Sequence, residues 1–173
     1  MSKRSKSLAA EHPLKTIAPN RFYRASKNPA LHSGHVDAAL DAFLAQQGIA
    51  LETHCITSPD QLVRDPLLTY GNHTFSHYVL ASLDPVAQAD EISRNAKVLA
   101  ALNVPLTQAF ALPFGGPETF NNATVSALQA HGATAALLAG NGTWRAYQDN
   151  PAMAQAYPLA TAARFMPSDT LPA

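Results

Sequence analysis

Apolar residues recur every three or four positions over three stretches, and short apolar runs separate them. In the first stretch, 34–47, Val36, Ala39, Leu40, Phe43 and Leu44 fall on one helical stripe, with Ser33 as the expected cap and Gly48 as the stop. The second begins at Asp84-Pro85, a cap followed by a proline at the first helical position, and repeats Val86, Ala89, Ile92, Ala96, Leu99 and Leu102. The third is expected to be capped by Asn122 and to end at Gly132. Between them, 49–56, 67–70, 106–112, 134–138 and 159–166 read as strands, the last presenting Arg164. Ser58-Pro59-Asp60 predicts a short helix through Arg64, and Gly140-Asn141-Gly142 a turn before an irregular stretch, 143–158. Ahead of all this, Pro19 and Asn20 break up the only candidate for a first strand. Strands alternating with helices imply parallel β-α units, which carry their chemistry at the strands' carboxyl ends.

The 173 residues, 47% hydrophobic, are enough for one domain with a real core. No apolar run is long enough to span a bilayer, and none follows the basic N-terminus as a secretory leader would; the expectation is a soluble cytoplasmic protein. One cysteine, Cys55, excludes an intrachain disulfide. The formal net charge is zero, yet residues 1–27 hold seven of the twelve Lys and Arg and one of the twelve Asp and Glu. That split predicts a basic, disordered arm over 1–27 and a folded domain over 28–173. The arm has little aromatic interleaving, so a solvated tail outranks a nucleic-acid contact.

The candidate chemistry sits in Gly71-Asn72-His73-Thr74-Phe75-Ser76-His77, directly after a predicted strand. Neutral imidazole is the commonest protein ligand for zinc-like ions, and a four-residue spacing lets two rings converge if the backbone turns helically. The alternative is a structural pair of turn histidines. Thr74 and Ser76 are expected to hydrogen-bond the loop backbone. A second stretch, Phe110-Ala111-Leu112-Pro113-Phe114-Gly115-Gly116-Pro117, follows a later strand. His32, His35 and Asp37 form a further group of potential ligands near the first helix. Cys55, beside His54, reads as a small buried hydrophobe rather than a soft ligand, and His131 as a dipole partner in a helix's last turn.

Together the two stretches resemble the polysaccharide deacetylase family (carbohydrate esterase family four, the nodulation-type deacetylase domain). Residues 71–77 match its Gly-Asn-His-Ser/Thr-x-x-His motif throughout, and Pro113-Phe114-Gly115 matches its Pro-Tyr/Phe-Gly motif. The resemblance runs from about residue 30 to about residue 140. It implies an α/β fold, a distorted and incomplete (β/α) barrel, here with its first strand degraded or missing. It implies a divalent ion, zinc foremost, on His73 and His77. It also implies hydrolysis of N- or O-acetyl groups from a polysaccharide or amino sugar. Pro113 and Phe114 would form the substrate loop, a backbone N–H near Phe114 would face the oxyanion, and Phe114 and Trp144 would stack on a sugar ring. Arg164 is the candidate to replace a lost site cation.

Three departures stand against full machinery. The family's Asp-Asp turn should fall near 22–30, where the chain reads Phe22-Tyr23-Arg24-Ala25-Ser26-Lys27-Asn28-Pro29-Ala30, and no Asp-Asp pair occurs anywhere. Ala111 stands where many members carry an arginine, and no Leu-x-His motif follows. A third metal ligand would therefore come from His32, His35 or Asp37. Two functions remain open: a metal-dependent deacetylase, or a carbohydrate-binding deacetylase-like domain without turnover.

Overall fold

The longest helix forms where a cap, a proline and an apolar face coincide. In a computed structural model of the chain, residues 26–50, 58–139 and 160–163 are described. The helices are α1 (Ser33–Gln47), α2 (Pro85–Ala101) and α3 (Asn122–Ala130). The strands are β1 (Tyr70–Asn72), β2 (Leu106–Ala111), β3 (Ala135–Leu138) and β4 (Ala160–Ala163). Asp84 caps α2 by accepting the Ala87 N–H at 2.9 Å. At the other end, Arg64 donates to the Leu102 and Asn103 carbonyls, a cation placed where the helix dipole is negative.

The strands pair in sequence order, β1-β2-β3-β4, and every pairing is parallel. This is the predicted α/β architecture of β-α units. The described strands form an open sheet, and a barrel closure is not seen among the described residues. The expected first strand, most of the expected strand at 49–56, and Cys55 with His54 lie outside the described residues. Ile49, which is described, is half exposed.

Several boundaries move for local reasons. The strand expected at 67–70 forms at Tyr70–Asn72 instead, with Leu67 fully in solvent. Pairing with β2 decides this, because Tyr70 is the first residue to reach a partner, donating its N–H to the Pro105 carbonyl. Its register against β2 slips between Tyr70 and Asn72. Gly71 sits at that irregularity, where a Cβ would meet the Ala109 carbonyl oxygen at 3.1 Å. The cap of α3 is Asn121 rather than Asn122: it exchanges hydrogen bonds with Thr124 at 3.1 Å in both directions. Ser33 is not a cap but the first residue of α1. Its buried hydroxyl accepts the Val79 N–H and the Ser82 hydroxyl, tying α1 to the loop after the histidine motif. The helix expected from Pro59 through Arg64 shortens to a 3-10 turn, Pro59–Gln61.

The core is built from Leu80, Leu83 and Ile92, from Phe110 and Leu112 of the β2 region, from Phe120, Val125 and Leu128, and from Ala136 and Leu138 of β3. Full burial of a Leu or Ile contributes about 1.5–3 kcal/mol, so these side chains hold α2 and α3 to each other and to the sheet. The buried face of α2 differs from the expected stripe. Val86 is 80% exposed, whereas Gln88 and Glu91 are buried beside Ile92. The two polar side chains are tolerated inside because both are hydrogen-bonded. Gln88 donates to the Leu83 carbonyl at 2.9 Å and accepts the Thr124 hydroxyl at 2.6 Å. Along α1 only Val36 of the expected stripe is buried, and Phe43 is half exposed.

Candidate active site at the strand carboxyl ends

The parallel pairing brings the two sequence motifs together. β1 ends at Asn72 and releases His73; β2 ends at Ala111 and releases Leu112, Pro113 and Phe114. Because the strands are neighbours running the same way, both loops leave the same edge. His73 Nδ1 lies 2.6 Å from the Ala111 carbonyl oxygen. A carbonyl only accepts, so Nδ1 carries a proton, and in the neutral ring the Nε2 lone pair is then the one able to act as a ligand or base. Ala111 thus serves the site through its backbone.

The His73 and His77 rings meet edge to face with centroids 4.7 Å apart, and the Phe114 ring stands 4.8 Å from His77. Lys27 Nζ lies 5.3 Å from the Phe114 centroid. The backbone that holds this cluster is strained. Among the described residues, four non-glycine residues have positive φ, and Thr74, His77 and Phe114 are three of them. Each such residue costs on the order of 1–3 kcal/mol, and such strain collects where a structure over-determines a functional geometry. Thr74 meets part of that cost by accepting the His77 N–H at 3.0 Å.

The loop is also clamped from below by α2. Asn72 donates to the Ile92 carbonyl at 2.9 Å and accepts the Thr74 N–H and the Asn95 amide. Glu91 accepts the N–H groups of Phe75 and Ser76. Sequence reasoning missed Glu91 and Asn95, because a helical glutamate or asparagine reads as a solvated face unless the loop above it is known.

An open cleft of about 200 Å³ adjoins His77, lined by Asp37, Ser76, His77, Tyr78 and Phe114 among others. Asp37 accepts the Tyr78 hydroxyl at 2.7 Å. Burial, then the bond to Asp37, pushes the Tyr78 phenol up to about 12, so it remains a donor at any ordinary pH. Of the three candidates for a further ligand, Asp37 lines this cleft with His77, while His32 and His35 stack on each other at 4.4 Å. Among the described residues no group of three His, Cys, Asp or Glu is gathered to hold a metal ion. Pro113 is buried, and its carbonyl accepts the Gly115 N–H at 2.6 Å, which closes the aromatic turn. Trp144 and Arg164 lie outside the described residues. His131 is exposed at the C-terminal cap of α3.

Fold and site define a parallel α/β protein whose histidine loop and aromatic turn share the carboxyl edge of the sheet. The chain belongs to the polysaccharide deacetylase family: the family's model matches residues 43–136, just over half of the chain, and that span includes both loops. No curated protein and no solved structure matches the chain significantly. Among the described residues, no helix is long and apolar enough to cross a membrane.

Proposed function

We propose that this chain is a metal-dependent deacetylase-like domain that takes N- or O-acetylated carbohydrate and hydrolyses the acetyl group. The observation that carries this reading is the contact of His73 Nδ1 with the Ala111 carbonyl. The Nδ1 proton is committed to that carbonyl, and the His73 ring packs against His77 within a Gly-Asn-His-Thr-x-x-His loop. Outer hydrogen bonds of this kind orient imidazoles for a metal. Two imidazoles are donors of the type zinc takes: His73 through Nε2 and His77 would hold it, with a third ligand still needed because none is gathered with them among the described residues. When bound, such an ion polarises the acetyl carbonyl and lowers the pKa of water.

The remaining residues bind and orient. Phe114 presents an aromatic ring at the mouth of the cleft, where a sugar ring can lie against it. Asp37 is the carboxylate among the cleft-lining residues and is the group able to take a proton from attacking water. Tyr78 keeps that carboxylate oriented. Hydrolysis then breaks the acetyl C–N or C–O bond, releases acetate, and returns a proton to the sugar amine or hydroxyl.

A second reading, carbohydrate binding without turnover, is favoured by the sequence itself, which has no Asp-Asp pair. Calorimetric zinc titration of chelator-stripped wild type and His77→Ala, alongside acetate release from an acetylated chito-oligosaccharide, separates the two. The deacetylase reading expects one-to-one zinc binding and zinc-dependent acetate release, both lost in His77→Ala. Sugar binding with no acetate release supports the second reading, and absence of zinc binding overturns the first.

A further inference from the structure

We infer that Glu91, buried in α2, is the positioning residue that sets the two imidazoles of the loop against each other. Its residue is only 5% exposed, so its carboxylate has been taken out of water. That is unfavourable unless donors replace the lost hydration. The replacements come from the loop itself. Glu91 Oε2 accepts the Ser76 N–H at 2.7 Å and the Phe75 N–H at 3.1 Å. Phe75 N–H also lies 3.1 Å from the Glu91 backbone carbonyl. Successive N–H groups beside a left-handed residue form an anion-binding concavity, and here the anion is a side chain of the same chain.

The location of these two bonds gives them their consequence. Phe75 and Ser76 are the residues between Thr74 and His77, whose φ values are 67° and 58°. Neither Thr nor His favours that region, so the loop returns to ordinary backbone angles once it is released. Charge-assisted bonds from a carboxylate are about twice as strong as neutral ones, enough to oppose strain of this size. His73 is anchored on β2 through Ala111, while the path from His73 to His77 is anchored on α2 through Glu91. Loss of Glu91 removes the side-chain anchor of that path and loosens the angle between the rings. The positioning stands on geometry alone; its effect on metal affinity rests on the deacetylase reading.

The test uses metal-free protein labelled with 15N-histidine, at a pH where the imidazoles are neutral. Two-bond 1H–15N correlation spectra assign the ring nitrogens and their protons, and ring-proton NOEs report how close the His73 and His77 rings lie. Wild type, Glu91→Gln and Thr124→Val are compared. Thr124→Val removes a buried hydrogen bond to the same helix without touching the loop, so it controls for simple destabilisation. The expected result is a close His73–His77 ring contact, read as ring-to-ring NOEs, in wild type and Thr124→Val, and its loss or averaging in Glu91→Gln, with the His73 Nδ1–H form kept because Ala111 holds it. An unchanged His73–His77 ring contact in Glu91→Gln, whatever its melting temperature, overturns the inference. So does a wild type that lacks this contact. If Glu91→Gln does not fold, Glu91→Asp, which withdraws the charge by one methylene, must show the same loss of the ring contact. Zinc titration of the same proteins then reads the metal consequence. A roughly 10- to 100-fold weaker affinity is expected in Glu91→Gln, against an unchanged one in Thr124→Val. Loss of the ring contact in Glu91→Gln of a protein that never binds zinc supports the positioning and overturns the metal reading.

Discussion

Replacing Gly115 by alanine tests how tightly the aromatic turn is built into the sheet. Gly115 has φ +65°, and a Cβ there would lie 2.1 Å from the Ala139 nitrogen and 2.8 Å from the Ala139 Cβ. Ala139 is the exit of β3, and its N–H donates to the Gly115 carbonyl at 3.2 Å. Gly48, at the end of α1, has almost the same φ, +66°, but nothing within 4 Å of the new Cβ. The left-handed conformation alone costs an L-residue about 1–2 kcal/mol, and this is the whole expected effect of Gly48→Ala. At Gly115 the backbone must also move. Overpacking adds about 1–3 kcal/mol and the strained Ala139 bond about 1 kcal/mol more. The total for Gly115→Ala is then about 3–6 kcal/mol, a large share of the roughly 5–15 kcal/mol that holds a domain folded. For a chain of this size that is a fall in Tm of about 6–24 °C, against about 2–8 °C for Gly48→Ala. Urea and thermal melts followed by circular dichroism measure both. Equal losses in the two variants would refute the reasoning, because they share backbone angle and differ only in what the Cβ meets.

Two further outcomes follow from the hydrogen bonds. Tyr78 has its phenol raised from 10.0 to about 12 in the folded protein, so the fold favours the protonated form. That contribution is fully present below pH 10 and is lost as the pH rises toward 12. Phenolate absorbance should show one late-titrating tyrosine that disappears in Tyr78→Phe, and a single common transition for every tyrosine would count against the Asp37 contact. Thr124→Val leaves the Gln88 side-chain oxygen buried without its 2.6 Å donor and the Asn121 N–H without its acceptor at the α3 cap, which together should cost about 1.5–5 kcal/mol in urea melts. A neutral result would mean that α2 and α3 are held by apolar contact alone.

Local signals in the chain determined a good deal of this protein. Asp84-Pro85 starts α2, Gly48 ends α1, and the alternation of helix-period and strand-like stretches dictates parallel β-α units. The residue types in 71–77 and 113–115 determined the family, since imidazoles four apart and a Pro-Phe-Gly turn are legible without coordinates. Capping, turn chemistry and periodicity act within a few residues, and so they can be read from a string. What depends on contacts between distant residues could not be. The start of β1 is decided by where Tyr70 meets Pro105, and the buried face of α2 by Gln88 finding Thr124 and Glu91 finding the loop. The His73 tautomer is decided by the carbonyl of Ala111, 38 residues away. The sequence could offer His32, His35 and Asp37 as equals, whereas the tertiary structure puts Asp37 in the cleft with His77 and stacks the two histidines on each other. Burial makes the difference: a polar side chain acquires a role when packing removes its water and leaves a particular partner in its place.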